Sequence, residues 1–139
     1  MPRAASMAPI ARAGFAYFAI VFAVGFLLGT LRTLILTPRI GPLAAVLVEA
    51  PLMLALAFVA CRWLLVRYRI GPAAGSRLAM GGLALVLLVG AELLLAVAAF
   101  GSTPADFLLA YATPPGAVGL AAQLVFAAMP LLFRGRPGR

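Results

Sequence analysis

Four long apolar runs limit what this chain can fold into. They cover residues 14–36, 42–66, 78–100 and 114–133. A helix needs roughly 20 apolar residues to cross the hydrocarbon core of a bilayer, and each run is long enough. The runs are continuous rather than alternating, which argues against the strands of a membrane β-barrel. Because backbone groups in lipid must find internal hydrogen-bond partners, the sequence predicts an all-α integral membrane bundle of four transmembrane helices.

The composition agrees with this fold. Hydrophobic residues make up 65% of the chain and charged residues only 10%, whereas roughly a quarter of the residues of a soluble domain are charged. The connections between the apolar runs are short. We therefore expect residues 1–139 to form a single transmembrane domain without a separate soluble domain.

The charge of the chain indicates which partners to expect. All 11 basic residues are arginines, and the net charge is +8. They lie at the ends of the apolar runs, which favours contact with anionic lipid headgroups and argues against nucleic acid as a partner. The chain has no histidine and a single cysteine, Cys61. Since thiolates and imidazoles are the usual ligands of zinc and haem, we expect no metal site and no cofactor.

The distribution of arginines predicts the orientation, since cytoplasmic loops are rich in positive charge. The third connection, residues 101–116, has no arginine and contains Asp106. The second connection and the C-terminal tail hold most of the positive charge, on Arg62, Arg67, Arg69, Arg77, Arg134, Arg136 and Arg139. We therefore expect both termini and the second connection in the cytoplasm, with the first and third connections facing outward.

Turn-forming residues predict where the helices begin and end. Thr37-Pro38 and Gly41-Pro42 are expected to separate the first two spans, with a first connection at residues 37–41. Thr103-Pro104-Ala105-Asp106 combines an N-cap residue, a proline at the first helical position and an acid in the first turn. It predicts a short amphipathic helix over about residues 104–112, lying on the outer surface. Thr113-Pro114 is expected to begin the fourth span in the same way.

Polar side chains inside the apolar runs are the candidate site. Glu49 and Glu92 lie in the second and third runs, Arg32 lies near the end of the first, and Gln123 lies in the fourth. An ionisable group inside a span costs roughly 2.5–3.5 kcal/mol and marks a functional site by default. At about 1.5 Å of rise per residue, all four polar groups can meet at one level in the outer half of the membrane.

The charges of this polar layer do not balance. One arginine cannot neutralise two carboxylates, so the sequence leaves three explanations open. One glutamate is protonated, because like charge and desolvation both raise a carboxyl pKa; or Arg39 folds in from the first connection; or a cationic ligand binds there. A ligand or proton site and a structural clamp that fixes helix packing are both compatible with the pattern.

Small residues and one proline mark the helix faces that carry the polar groups. Small faces let helices approach closely in lipid, and they also leave room for a pocket. Pro51 follows Glu49 by two residues and is expected to free a backbone carbonyl and kink the second span there. The predicted packing glycines are Gly25, Gly29, Gly81, Gly116 and Gly119.

Several segments resemble one group of proteins. Gly29-Thr30-Leu31-Arg32, Pro38-Arg39-Ile40-Gly41 and Glu49-Ala50-Pro51-Leu52-Met53 are similar to small four-span bacterial inner-membrane proteins. Glu92 and Thr113-Pro114-Pro115-Gly116 occur at corresponding positions, so the resemblance runs along most of the chain. It implies a multi-pass protein of the bacterial inner (cytoplasmic) membrane and adds no chemistry.

Three functions fit the sequence. The small size, short loops and lack of a recognisable catalytic set favour an accessory or assembly component, acting as a homo-oligomer or within a larger membrane complex. The alternative is a proton- or cation-linked transporter, a channel or a small-ligand binder that uses Glu49, Glu92 and Arg32. A membrane enzyme acting on lipid or isoprenoid substrates, with a carboxylate as acid or base, is a third. It is less favoured, because the chain has no nucleophile–base pair, no histidine and no phosphate loop.

Overall fold

A computed structural model describes residues 7–133, and the regular structure in this range is entirely helical. The elements are α1 (Met7–Leu31), a π-helical turn (Arg32–Leu36), α2 (Thr37–Ile40), α3 (Pro42–Arg67), α4 (Ala74–Phe100), α5 (Pro104–Ala110), α6 (Pro114–Ala128) and a 3-10 turn (Met129–Phe133). Four stretches are long and apolar enough to cross a membrane, namely Met7–Ile40, Pro42–Arg67, Ala74–Phe100 and Pro114–Phe133. The predicted all-helical fold is thus confirmed for these residues, and its four long apolar helices indicate a multi-pass membrane protein. Arg134, Arg136 and Arg139 lie outside the described residues.

The first span is longer than predicted, and the break expected at Thr37-Pro38 is wrong. The helix widens into the π turn, in which the Thr37 N–H donates to the Arg32 carbonyl five residues back. Pro38 lies near the start of α2, directly after the π turn, and the helix runs on through it. The chain breaks only at Gly41, whose φ of 87° suits glycine.

The predicted helix starts in the second half are confirmed. The Thr103 hydroxyl accepts a hydrogen bond from the Asp106 N–H at 3.1 Å, and the Thr113 hydroxyl accepts one from the Gly116 N–H at 3.2 Å. Both threonines are therefore N-caps, each followed by proline. The short helix α5 ends at Ala110, two residues before the expected end.

The long helices form two hairpins that pack side by side. α1 packs on α3 in the first hairpin (residues 7–67), and α4 packs on α6 in the second hairpin (residues 74–133). Between the hairpins α1 contacts α4, and α3 contacts α6. Because α3 and α4 lie diagonally opposite each other, the connection between them crosses one end of the bundle.

The buried core occupies the half of the bundle next to this second connection, which we term the closed end. The buried apolar side chains there include Ile10, Ala13, Tyr17, Val21, Ala57, Cys61, Leu64, Met80, Ala84, Leu88, Phe126 and Met129. α1 has no buried residue after Val21 and α4 has none after Leu88. The helices are therefore less tightly packed toward the first and third connections, which form the open end.

Two buried polar side chains stabilise the closed end through hydrogen bonds to backbone carbonyls. The Tyr17 hydroxyl donates to the Phe126 carbonyl at 2.8 Å, and the two aromatic rings lie 4.2 Å apart. This is the one side-chain hydrogen bond that joins the two hairpins within residues 7–133. Arg77 is only 6% exposed, and it donates to the carbonyls of Gly71, Ile70 and Pro130 at 2.7, 3.3 and 3.1 Å.

The burial of Arg77 corrects its expected place among the headgroup-facing arginines. α4 begins at Ala74 rather than near residue 78, so Arg77 lies inside the helix, on the same face as Met80 and Gly81. Its guanidinium therefore points into the closed end and joins the crossing connection to the 3-10 turn that follows α6.

Candidate binding cavity

A cavity of about 730 Å³ lies between the helices at the open end, and all four long helices line it. Four of its lining residues belong to the buried core, namely Val21, Ala57, Leu88 and Phe126. The volume falls in the range of about 300–1,000 Å³ that is usual for small-molecule sites. The cavity thus begins where the packed core ends.

The first polar cluster in the cavity is an ion pair within the first hairpin. Arg32 Nε contacts Glu49 Oε2, and both side chains line the cavity. The Arg32 side chain is 32% exposed and the Glu49 side chain 16%. The pair is therefore sheltered, although about a third of the arginine side chain remains exposed.

Arg32 lies at the start of the π turn and next to a glycine. The turn begins at Arg32 itself, so it changes the direction of the side chains that follow. π turns inside α-helices are frequent at functional sites. Gly29 lies beside the guanidinium, and a Cβ at this position would make an ordinary van der Waals contact with Arg32 Nη2 at 3.5 Å. The predicted small face of the first span therefore borders the ion pair.

The second polar cluster belongs entirely to the second hairpin. Gln123 Nε2 donates to Glu92 Oε2 at 2.7 Å, and the Tyr111 hydroxyl donates to Gln123 Oε1 at 3.4 Å. All three side chains line the cavity. A neutral amide and a phenol thus surround Glu92, in contrast to the arginine beside Glu49.

A close backbone contact holds Tyr111 in this position. A Cβ on Gly116 would lie 1.8 Å from the Ala110 carbonyl oxygen, so only glycine permits this approach of α5 and α6. The Thr113 hydroxyl also donates to that carbonyl at 2.6 Å. Burial raises the pKa of the Tyr111 phenol, and the nearby Glu92 carboxylate raises it further. Tyr111 therefore stays protonated and remains a donor well into the alkaline range.

The other predicted packing residues have distinct surroundings. A Cβ on Gly25 would lie 3.3 Å from Met53 Cε, whereas one on Gly81 would lie 1.8 Å from the Ala127 carbonyl oxygen. Gly119 lines the cavity, and a Cβ there would meet nothing within 4 Å. Pro51 is exposed, and α3 continues through it as one helix. Gly81 is therefore a tight contact between α4 and α6, and Gly119 faces open space.

The structure brings four of the five predicted polar residues to one cavity but joins them in two separate pairs. Arg39 is not among them, since it is exposed and donates to the Ile35 carbonyl at 3.5 Å. Of the explanations for the unequal charges, Arg39 folding in therefore has no support from this arrangement. A protonated glutamate and a cationic ligand remain.

Sequence reasoning missed two functional roles. Tyr111 lies in the third connection, just before the capped start of α6, and Gln123 follows it by 12 residues. Only this spacing could have suggested their contact. Arg77 lies four residues before Gly81, on the face predicted to pack, and this helical spacing is the signal for its burial. Hydropathy alone places such an arginine at the membrane surface.

Neither the described residues nor the comparisons with known proteins point to a cofactor or to a family. Residues 7–133 contain no group of three or more metal-ligating side chains. The chain matches no protein family model, no curated protein and no solved structure. What the site can do therefore follows from its own geometry.

The two-cluster arrangement predicts which substitutions are coupled. Arg32→Gln and Glu49→Gln should each destabilise the protein, and the double variant should cost about 1–2 kcal/mol less than the sum of the two. Arg32→Gln and Glu92→Gln should be coupled by less than this, because their clusters belong to different hairpins and no ion pair joins them, although Arg32 still attracts Glu92 across the cavity. Reversible unfolding in mixed micelles measures both cycles. Equal coupling in the two cycles would mean that the four groups form a single network.

Proposed function

We propose that this protein binds a small molecule in the cavity at its open end, with Arg32, Glu49, Glu92 and Gln123 as the polar groups that recognise it. The observation that carries the proposal is that these side chains from all four spans line one cavity of about 730 Å³. A transporter, a channel or a receptor of this size would each need such a site.

The distribution of packing supports a site over a purely structural clamp. A clamp gains most when helix packing removes it from solvent, but the packed core lies at the closed end. Tyr17 and Arg77 already fasten that end. The polar groups instead line a space that the helices leave unfilled, and Arg32 keeps 32% of its side chain exposed. The free-energy cost of placing these polar groups in apolar spans is explained if the groups bind a ligand.

Filling the cavity tests the proposal without changing a charge. Gly119→Phe should place a ring in the cavity, because a Cβ there meets nothing within 4 Å. Gly75→Phe is the matched control, since Gly75 also has open space but lies at the closed end of α4. The probes are tetraphenylphosphonium, tetraphenylborate and tetraphenylmethane, which share a shape and differ in charge.

Equilibrium dialysis of purified protein in micelles, against protein-free micelles, measures the binding of each probe. At least one probe should bind at one site per chain, and Gly119→Phe should weaken its binding at least tenfold. Gly75→Phe should leave the affinity within twofold of the wild type. If no probe shows binding that Gly119→Phe weakens, the proposal is wrong.

An assembly component is the second candidate, and an open face of α4 favours it. Gly82 and Gly90 lie two turns apart and would each accept a Cβ with nothing within 4 Å. Val86 lies between them and is 70% exposed. A face of this kind permits close helix–helix contact in lipid. Crosslinking in native membranes should give a defined oligomer or complex that Gly90→Phe abolishes, whereas a strictly monomeric chain would argue against this candidate.

We further propose the predicted orientation in a bacterial inner membrane, with both termini cytoplasmic and α5 on the outer surface. Arg62, Arg67 and Arg69 are exposed at the closed end, which supports a cytoplasmic location for this end. Single cysteines replacing Asp106 and Pro72 on a Cys61→Ala background test the orientation. In intact cells, a membrane-impermeant maleimide should label position 106 but not position 72, and the reverse pattern would invert the topology.

A further inference from the structure

The charged groups of the cavity are unequally paired. Arg32 is already matched by Glu49 in its own hairpin. Glu92 accepts a hydrogen bond from the neutral Gln123 amide, and within residues 7–133 no cationic group lies within 4.0 Å of it. An ionised Glu92 therefore leaves the cavity with one uncompensated negative charge.

The remaining wall of the cavity suits an apolar molecule with aromatic contacts. Phe22, Phe26 and Phe126 line it together with aliphatic side chains. The faces of aromatic rings attract cations, and the attraction is larger where water is excluded. An anionic ligand would find the arginine already paired, and a neutral ligand would leave the charge of an ionised Glu92 unbalanced.

We infer that the ligand of this cavity is a monovalent organic cation with an apolar body, and that Glu92 is the residue that recognises its charge. This inference rests on the proposed function, and it specifies the chemistry of the same site. The Gln123–Tyr111 chain orients the Glu92 carboxylate, since Gln123 occupies Oε2. Within the described residues Oε1 accepts no hydrogen bond, so this oxygen is free to face the ligand.

The three probes used above test the charge preference directly. The wild type should bind tetraphenylphosphonium at least tenfold more tightly than tetraphenylborate or tetraphenylmethane, after subtraction of partitioning into protein-free micelles. Glu92→Gln should lose at least tenfold for the cation, which is about 1.4 kcal/mol. Its affinity for neutral tetraphenylmethane should stay within twofold of the wild type, which also shows that the variant is folded.

A charge inversion gives a second readout that unfolding cannot mimic. In the double variant Glu49→Gln with Glu92→Gln, Arg32 is the one charged side chain left among those that line the cavity. This variant should prefer tetraphenylborate to tetraphenylphosphonium. Adding Gly119→Phe should weaken this anion preference in the double variant and the cation preference in the wild type.

The outcomes separate this inference from the proposed function. If the wild type binds a neutral or anionic probe at the Gly119-sensitive site as tightly as the cation, the inference about charge is overturned and the binding cavity stands. An unchanged cation affinity in Glu92→Gln would overturn it as well. If no probe responds to Gly119→Phe, the proposed function itself fails.

Discussion

Replacing Gly81 with alanine should destabilise the protein by about 3 kcal/mol or prevent its folding. An ideal Cβ at Gly81 would lie 1.8 Å from the carbonyl oxygen of Ala127 and 2.8 Å from its carbonyl carbon. Both atoms belong to the backbone of α6, so no side-chain rotation can relieve the contact. Overpacking of a tight contact costs about 1–3 kcal/mol, and here two helices must move apart. The measurement is unfolding by sodium dodecyl sulfate in mixed micelles.

Gly82 provides a control one residue away. A Cβ at this position would meet nothing within 4 Å. Gly82→Ala should be neutral or stabilising by up to about 1 kcal/mol, because alanine favours the helix over glycine. If the two variants unfold alike, α4 and α6 do not approach each other at Gly81 as closely as the structure shows.

Replacing Arg77 with methionine should cost about 3 kcal/mol, although methionine is far more apolar than arginine. The substitution removes the donor for the carbonyls of Ile70, Gly71 and Pro130. A buried acceptor left without a partner costs about 1–3 kcal/mol. The same unfolding assay measures the loss of stability. It should appear as a lower midpoint of the unfolding transition, because the closed end is packed more loosely.

Two comparisons identify the cause of this loss. Arg62→Met removes an exposed arginine at the same end of the bundle and should stay within about 0.5 kcal/mol of the wild type. Arg77→Lys keeps the charge but lacks the planar fork of donors, so it should recover less than half of the loss. Full recovery with lysine would mean that the charge matters and the three hydrogen bonds do not.

The sequence is sufficient to predict much of the helical content, for physical reasons. Span length follows from bilayer thickness, so uninterrupted apolar runs locate the four long helices within a few residues. The starts of α5 and α6 follow from Thr103 and Thr113, because a threonine before proline is both a cap and a barrier to an earlier start. The π turn before Pro38 escapes prediction, since no residue type encodes it.

The arrangement of the helices is harder to predict. In a soluble bundle the polar face of each helix shows which side is exposed, but here both the core and the lipid-facing sides are apolar. Nothing in the sequence therefore indicates that α1 lies beside α4, or that α3 and α4 are diagonal. Depth along the helices predicted that Arg32, Glu49, Glu92 and Gln123 meet at one level, and in the structure all four line one cavity. Their division into two pairs depends on helix neighbours, and the sequence leaves it open.

The pairing of polar groups within each hairpin has a mechanical consequence. The Arg32–Glu49 pair belongs to one hairpin and the Glu92–Gln123–Tyr111 chain to the other. Tyr17 is the polar tie between the hairpins, and it lies at the closed end. Splaying the open end apart therefore breaks no ion pair and no side-chain hydrogen bond among the described residues. Apolar contact, which lipid tails can replace, and the longer-range attraction between Arg32 and Glu92 are what resist it. The two hairpins can therefore separate at the open end while they stay joined at the closed end.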